Sequence, residues 1–254
     1  MDLAYYSQYR DLFYNLTISE LKIKYKSSAL GFLWALLEPL LISLTLYLVF
    51  TLLFKSDQVN YGAYILIGFT SWFFFSNTNS LISSFSNKKS LITNTTFPRE
   101  IIVFSSCTAL FINNLFNFII LVVILIFITG ISYTILFLPL ILILNFFFVL
   151  GMSLALGTLY IFLKDLDKIW NILLQILFFL TPIVYPSSLL LKISPMLLTF
   201  NPIFYFIKAY RMILLYDVSL SLEYIITLSV IAITFLILGW NIFKKLEYKF
   251  AEEI

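Results

Sequence analysis

Long apolar runs alternate along the chain with short charged or proline-rich segments. The runs cover about residues 32–54, 61–85, 100–129, 135–162, 169–182 and 222–243. A helix rising about 1.5 Å per residue crosses a hydrocarbon core of about 30 Å in about 20 residues. The pattern therefore predicts an all-α membrane protein with six transmembrane helices, the fifth of them short. Residues 1–31 read differently. Tyr5, Tyr9, Leu12, Phe13 and Leu16, then Ile18, Leu21 and Tyr25, recur at steps of three and four, while Gln8, Arg10, Asp11 and Asn15 take the opposite side. That is an amphipathic helix suited to the membrane interface or to a partner protein. Gly31 lets the chain turn from lying flat to crossing.

Two interruptions stand out. Residues 87–99, NKKSLITNTTFPR, form a loop in which 91–97 predicts a short helix with Leu91, Ile92 and Phe97 along one edge, and Pro98 suits the first turn of the next helix. The second is residues 183–211, part of a stretch broken by Pro182, Pro186, Pro195 and Pro202. Apolar pieces too short to cross, at membrane depth, predict re-entrant helices whose backbone protein or water must satisfy. This region, with Pro182, Tyr185, Pro186, Asn201, Pro202, Tyr205 and Arg211, is a natural outer gate.

Composition and charge sharpen the picture. Hydrophobic residues make up 61% of the chain and charged residues 11%, against about 25% charged in soluble domains. Six spans with both termini inside put twelve Lys/Arg on the cytoplasmic side and four (Lys55, Lys192, Lys208, Arg211) outside. The positive-inside bias selects this topology over its inverse. The first 31 residues show no compact apolar core, so no cleavable signal is expected. The organisation expected is an interface helix, 1–31, and one membrane domain, 32–254. A net charge of +3 speaks against a nucleic-acid partner.

Catalytic chemistry is thin. There is no histidine, and the one cysteine, Cys107, sits in an apolar run. None of the seven glycines precedes a lysine, so no P-loop exists in this chain. The two aspartates of 164–168, KDLDK, lack further carboxylates for a metal site. Polar residues inside the runs carry more interest. Glu38 lies two turns into the first, and Ser76, Asn77, Thr78, Asn79 and Ser80 follow Trp72 and Phe73 in the second. Such groups should face protein or a cavity. Asn113 and Asn117 share a helix face, and Gly151, Ser153, Ala155 and Gly157 permit close helix packing. A six-span protein without a catalytic constellation most plausibly moves something, with energy from outside the chain.

Four stretches carry a resemblance. They are ELKIKYKSSALGFLWALLEPLL from residue 20, NKKSLITNTTFPREI from 87, FLKDLDKI from 162, and LTPIVYP from 180 with NPIFYFIKAYR from 201. Together they resemble the permease subunit of type-2 ABC exporters, in the branch that exports O-antigen, capsule or teichoic acid. Lys164 stands where that family usually has arginine. The resemblance implies a multi-pass protein of the cytoplasmic (inner) membrane. It also implies a homodimer, a lipid-linked glycan substrate moved to the outer face, and a separate ATP-binding cassette subunit that holds ATP and Mg, with no cofactor in this chain. Tyr9 and Phe13 of the first helix, with Lys88, Lys89, Leu91, Phe97, Pro98 and Arg99, would couple to that subunit. Trp72, Phe73, Tyr185 and Tyr205 would guide the substrate, and Glu38, by its place in the first span, is a candidate for a substrate or gating role. A drug or lipid exporter of the same superfamily and a non-transporting scaffold are the alternatives.

Overall fold

The computed structural model describes residues 8–25, 31–54, 60–130 and 132–253; Tyr5 and Lys55 lie outside them. Every regular element among the described residues is helical. The first helix, α1 (Arg10–Tyr25), packs along α7 (Glu100–Ile128). Its polar side, Arg10, Asp11 and Asn15, stays exposed, while Leu12, Phe13 and Leu16 are half-buried. Gly31 has φ +51°, in the left-handed region that side chains avoid, and a short 3-10 turn leads from it into α2 (Trp34–Phe54).

Among the described residues, three elements are long and apolar enough to cross a membrane: α7, residues 133–162 containing α8 (Leu138–Phe162), and residues 222–249 containing α13 (Leu222–Leu246). At 29 residues, α7 is about 44 Å long, more than one crossing needs. Outward-facing positions on these helices are apolar, such as Ile119, Val123 and Ile126 on α7 and Ile226, Val230, Ile233 and Ile237 on α13. Buried positions hold Ser105, Asn113, Asn114, Asn117, Asn145, Ser153 and Thr158. Apolar outside and polar inside is the distribution that a lipid solvent selects.

The run 61–85 is not one helix. It divides into α3 (Tyr61–Ser76), α4 (Thr78–Ile82) and the start of α5 (Ser84–Asn87). The polar side chains cause the break. Asn77 Nδ2 donates to the Phe73 carbonyl at 2.6 Å, and Ser80 Oγ to the Asn77 carbonyl at 2.7 Å, so they compete for the helix's own acceptors. Then follow α6 (Lys89–Asn94), α9 (Leu166–Leu180), and three short pieces, α10 (Ser187–Ile193), α11 (Met196–Thr199) and α12 (Pro202–Leu214). Pro98 stands just before the Arg99 cap of α7 rather than in its first turn, and its carbonyl accepts from Ile101 N at 3.1 Å. A four-residue helix, α14 (Phe250–Glu253), ends the described chain.

The most extensive helix pair is α8 with α13. Gly151 and Gly239 face each other across it, and a Cβ on Gly239 would lie 2.0 Å from the Gly151 carbonyl oxygen. Small residues thus let the two backbones touch, as their helical spacing predicts. Gly157 instead faces the Phe85 ring at 3.4 Å from a built Cβ.

Candidate functional site

Three clusters collect the polar and aromatic residues of interest. The first is a groove of about 640 Å³ between α3–α4 and α9. Glu38, Trp72 and Phe73, separated in sequence, line it together. The sequence reading missed the opposite wall, Asn171, Gln175, Phe178 and Phe179. A signal for it exists: two amides four residues apart on an otherwise apolar helix share one face. The walls are pinned at both ends. Trp170 Nε1 donates to Thr78 Oγ1 at 3.1 Å, and the Tyr185 hydroxyl donates to the Phe179 carbonyl. Trp72 meets Phe178 edge-on at 5.6 Å. The lining combines amides, hydroxyls and aromatic faces with Glu38 as its one charged side chain among the described residues.

The second cluster surrounds Arg211. Its guanidinium is 5% exposed and has carbonyls as its hydrogen-bond acceptors: Pro182 at 2.7 Å, Ile183 at 2.6 Å and Tyr64 at 3.2 Å. It lies flat on the Tyr64 ring, 3.4 Å from the centroid. Tyr61 and Tyr64 hydroxyls donate to the Val184 and Tyr185 carbonyls at 2.6 and 2.9 Å. Proline at 182 and the tight turn after it leave these carbonyls without helical donors, and α3 and α12 supply them. Gly68 makes room for the arginine, since a Cβ there would stand 2.3 Å from Nη2. Asn201 joins in. Its Oδ1 caps α12 by accepting from Ile203 N and Phe204 N at 3.1 and 3.3 Å, and its Nδ2 donates to Thr181 Oγ1 at 2.8 Å. Pro202 occupies the first turn of α12, and Pro186 caps the start of α10. Tyr205 sits apart from the arginine. Its hydroxyl donates to Thr199 O at 3.3 Å and its carbonyl accepts from the Tyr224 hydroxyl at 2.9 Å.

The third cluster lies at the joint of α6, α7 and the C-terminal end. Tyr9, Phe97 and Arg99 line an open groove of about 660 Å³ with residues 92–96. Phe13, Lys88, Lys89 and Leu91 are not among its lining residues. Lys88 pairs with Glu20 at 3.0 Å. Arg99 donates to the Glu247 carbonyl and lies over the Phe250 ring at 5.9 Å. Phe250 is fully buried against Phe85, Phe243 and Phe162, with ring centroids 4.9, 5.8 and 6.5 Å away. Lys244 holds the buried Glu100 carboxylate at 3.4 Å. The C-terminal end therefore clasps the loop 95–99. Phe250→Ala is expected to destabilise the protein by about 3–5 kcal/mol, the usual cost of emptying a phenylalanine site. Thermal unfolding in detergent measures it, and an unchanged midpoint would remove the clasp.

The chain has close relatives in sequence. It is 33% identical over 247 residues, 95% of this chain and 94% of the relative, to the O-antigen export system permease protein RfbA of Klebsiella pneumoniae. It is 28% identical over 257 residues, 97% of this chain and 96% of the relative, to the protein of the same name from Myxococcus xanthus. The family model described as ABC-2 type transporter matches residues 11–215. That span takes in the lipid-facing helices α7 and α8, the groove, the Arg211 cluster and the 95–99 loop. The chain therefore belongs to the ABC-2 type transporter family.

Proposed function

We propose that this chain is the membrane-spanning subunit of an ATP-driven exporter that moves a lipid-linked polysaccharide of the O-antigen type from the cytoplasm to the outer face of the membrane. It acts as a homodimer with two copies of a separate ATP-binding subunit, which supplies the ATP and Mg chemistry. Six spans with both termini cytoplasmic, and re-entrant pieces α10–α12 toward the outside, complete the reading. The support is the relatives' stated role in O-antigen export and, above all, the lining of the 640 Å³ groove. Sugars present hydroxyls around an apolar ring face. Amides such as Asn171 and Gln175 bond the hydroxyls, and Trp72, Phe73 and Phe178 stack on the ring faces. The groove's lack of a cationic lining residue among the described ones suits a mostly uncharged chain.

In this reading, the amphipathic α1 and the 88–99 region meet the ATP-binding subunit, whose closure shifts them. The Arg211 cluster holds the outer turn 182–185. Reconstitution of the chain with its ATP-binding subunit in liposomes tests the function. Labelled lipid-linked O-polysaccharide should cross only with hydrolysable ATP. Transport of an apolar drug or a plain phospholipid with no glycan movement would overturn the reading. Asn171→Leu with Gln175→Leu should cut export by about tenfold, as loss of one or two hydrogen bonds predicts, in a variant that still co-purifies with the ATP-binding subunit. Wild-type export by that pair would take the groove off the path.

A further inference from the structure

Beneath α1 lies a second, smaller cavity of about 270 Å³. Its walls come from four elements: Glu20 and Ile23 on α1, Ser80 and Leu81 on α4, Ser84 and Asn87 on α5, and Ser106 and Asn113 on α7. It adjoins the large groove: Asn77 and Ser80 line both. The break in the helix at Asn77 thus stands between two chambers, with polar side chains facing each way. The Ser84 hydroxyl is buried, at 4% residue exposure, and has no hydrogen-bond partner in the protein. A buried hydroxyl of this kind is costly unless something polar occupies the space before it.

The roof of the chamber is α1, and one carboxylate fastens it. Glu20 Oε1 accepts from Lys88 Nζ at 3.0 Å and from Ser106 Oγ at 3.3 Å, tying α1 at once to the α5–α6 joint and to α7. Both partners of the ion pair are partly exposed, 31% for Glu20 and 17% for Lys88. Water therefore competes for the pair, and it opens more readily than a dry one. Lys88 also heads the loop that runs through α6 to the groove of Tyr9, Phe97 and Arg99, so movement of that loop bears directly on the latch.

We propose that α1 is a lid, latched by Glu20–Lys88, over an entry chamber that takes uncharged sugar units of the transported chain and hands them past Asn77 and Ser80 to the groove. The ligand class follows from a mixed lining that suits a sugar's hydroxyls and its apolar ring face: serine hydroxyls and asparagine amides beside Ile23, Leu81, Ala109 and Leu110, with Glu20 the one charged side chain among the described residues. The size admits about one sugar ring, being just under the about 300 Å³ at which pockets for small molecules begin. This inference rests on the polysaccharide reading for the identity of what enters, but not for the lid itself.

The test uses the assembly with its ATP-binding subunit in lipid nanodiscs. In a Cys107→Ala background, Ser84→Cys reports on the chamber through its rate of reaction with a polar, membrane-impermeant maleimide. Slow labelling is expected with the latch intact. Glu20→Gln should speed it about tenfold, the loss of one charge-assisted hydrogen bond. The charge-reversed pair Glu20→Lys with Lys88→Glu should return it toward the slow rate. Filling the chamber with Ser106→Leu should lower glycan export about tenfold or more while the variant still co-purifies with its partner subunit. Labelling indifferent to Glu20→Gln overturns the lid. Wild-type export with the chamber filled overturns its place on the path. An assembly that labels as expected but moves no glycan, even unsubstituted, overturns the polysaccharide reading and leaves the lid standing.

Discussion

Gly68→Ala is expected to destabilise the protein by about 1–3 kcal/mol, the usual cost of overpacking, with most of the loss depending on Arg211. The added Cβ would lie 2.3 Å from Arg211 Nη2 and 3.0 Å from the Ile183 carbonyl oxygen. The end of an arginine normally swings aside. This one cannot do so freely, because it donates to Pro182, Ile183 and Tyr64 and rests on the Tyr64 ring. Making space means breaking bonds to Ile183 or Tyr64 and loosening the 182–185 turn. Arg211→Ala should cost more than Gly68→Ala, since each buried carbonyl left without a donor costs about 1–3 kcal/mol. Arg211→Lys should not rescue it, because an ammonium cannot reach three acceptors in one plane. In the Arg211→Ala background, Gly68→Ala should cost clearly less, because only the tight contact with the Ile183 carbonyl remains. A thermal-unfolding double-mutant cycle measures the coupling. Additive losses would mean that glycine 68 is not there for the guanidinium. Export should fall in step with the loosened turn, since the same turn anchors the groove wall through Tyr185 and Phe179.

The largest packing effect is expected at the crossing of α8 and α13. A Cβ on Gly239 would lie 2.0 Å from the Gly151 carbonyl oxygen, and one on Gly151 would lie 2.4 Å from the Phe235 carbonyl oxygen. Both obstacles are backbone, so no rotamer change relieves them and the helices must separate along their contact. Gly239→Ala and Gly151→Ala should each destabilise at or above the upper end of the about 1–3 kcal/mol range for overpacking. The pair should be strongly non-additive, because one separation serves both. Gly62→Ala provides the contrast. Its Cβ would meet only the Tyr47 ring, at 3.5 Å, an ordinary contact. Alanine there should be neutral or stabilising by up to about 1 kcal/mol through helix propensity. Size-exclusion profiles and unfolding midpoints of the three variants decide the matter. Equal behaviour of Gly239→Ala and Gly62→Ala would refute the close crossing.

Much of this was legible along the chain because its causes are local. The apolar runs of α7, α8 and α13 announce themselves by length, since a membrane crossing needs a fixed number of residues. Gly31 reads as a point where the chain turns, and its φ is +51°. The proline-broken stretch reads as interrupted, and within it Asn201 caps α12 with Pro202 in the first turn. The polar run from Ser76 to Ser80 reads as facing protein or a cavity, and Ser76, Asn77, Asn79 and Ser80 line the groove.

The failures of local reading are just as physical. Lys88 and Arg99 look like solvent-side charges, yet each has an internal partner far along the chain, Glu20 for one and the Glu247 carbonyl for the other. Charge bias along a sequence reports the side of the membrane; it carries no record of which carboxylate folds back to meet a given lysine. Arg211 looked like an exposed outside cation beside a broken segment. It is buried, and the broken segment itself is its partner, because the turn after Pro182 exposes carbonyls that only a distant donor can reach. The second half of the run 61–85 was expected to continue as helix, and hydropathy alone favours that. Asn77 and Ser80 instead take backbone acceptors, and the helix is interrupted at Asn77.

What the amino-acid order determines by itself is the solvent: so apolar a chain must sit in lipid, with its helices bounded by charge, proline and glycine, because those are properties of single segments. What the tertiary structure alone decides is the pairing of polar groups. The groove exists because α9 brings Asn171 and Gln175 opposite Trp72 and Glu38, and the chamber beneath α1 exists because Glu20 reaches Lys88 and Ser106. In a lipid-solvated protein a buried polar atom finds its partner inside or lacks one, and a partner's position in space is set by how helices cross, not by its distance along the chain.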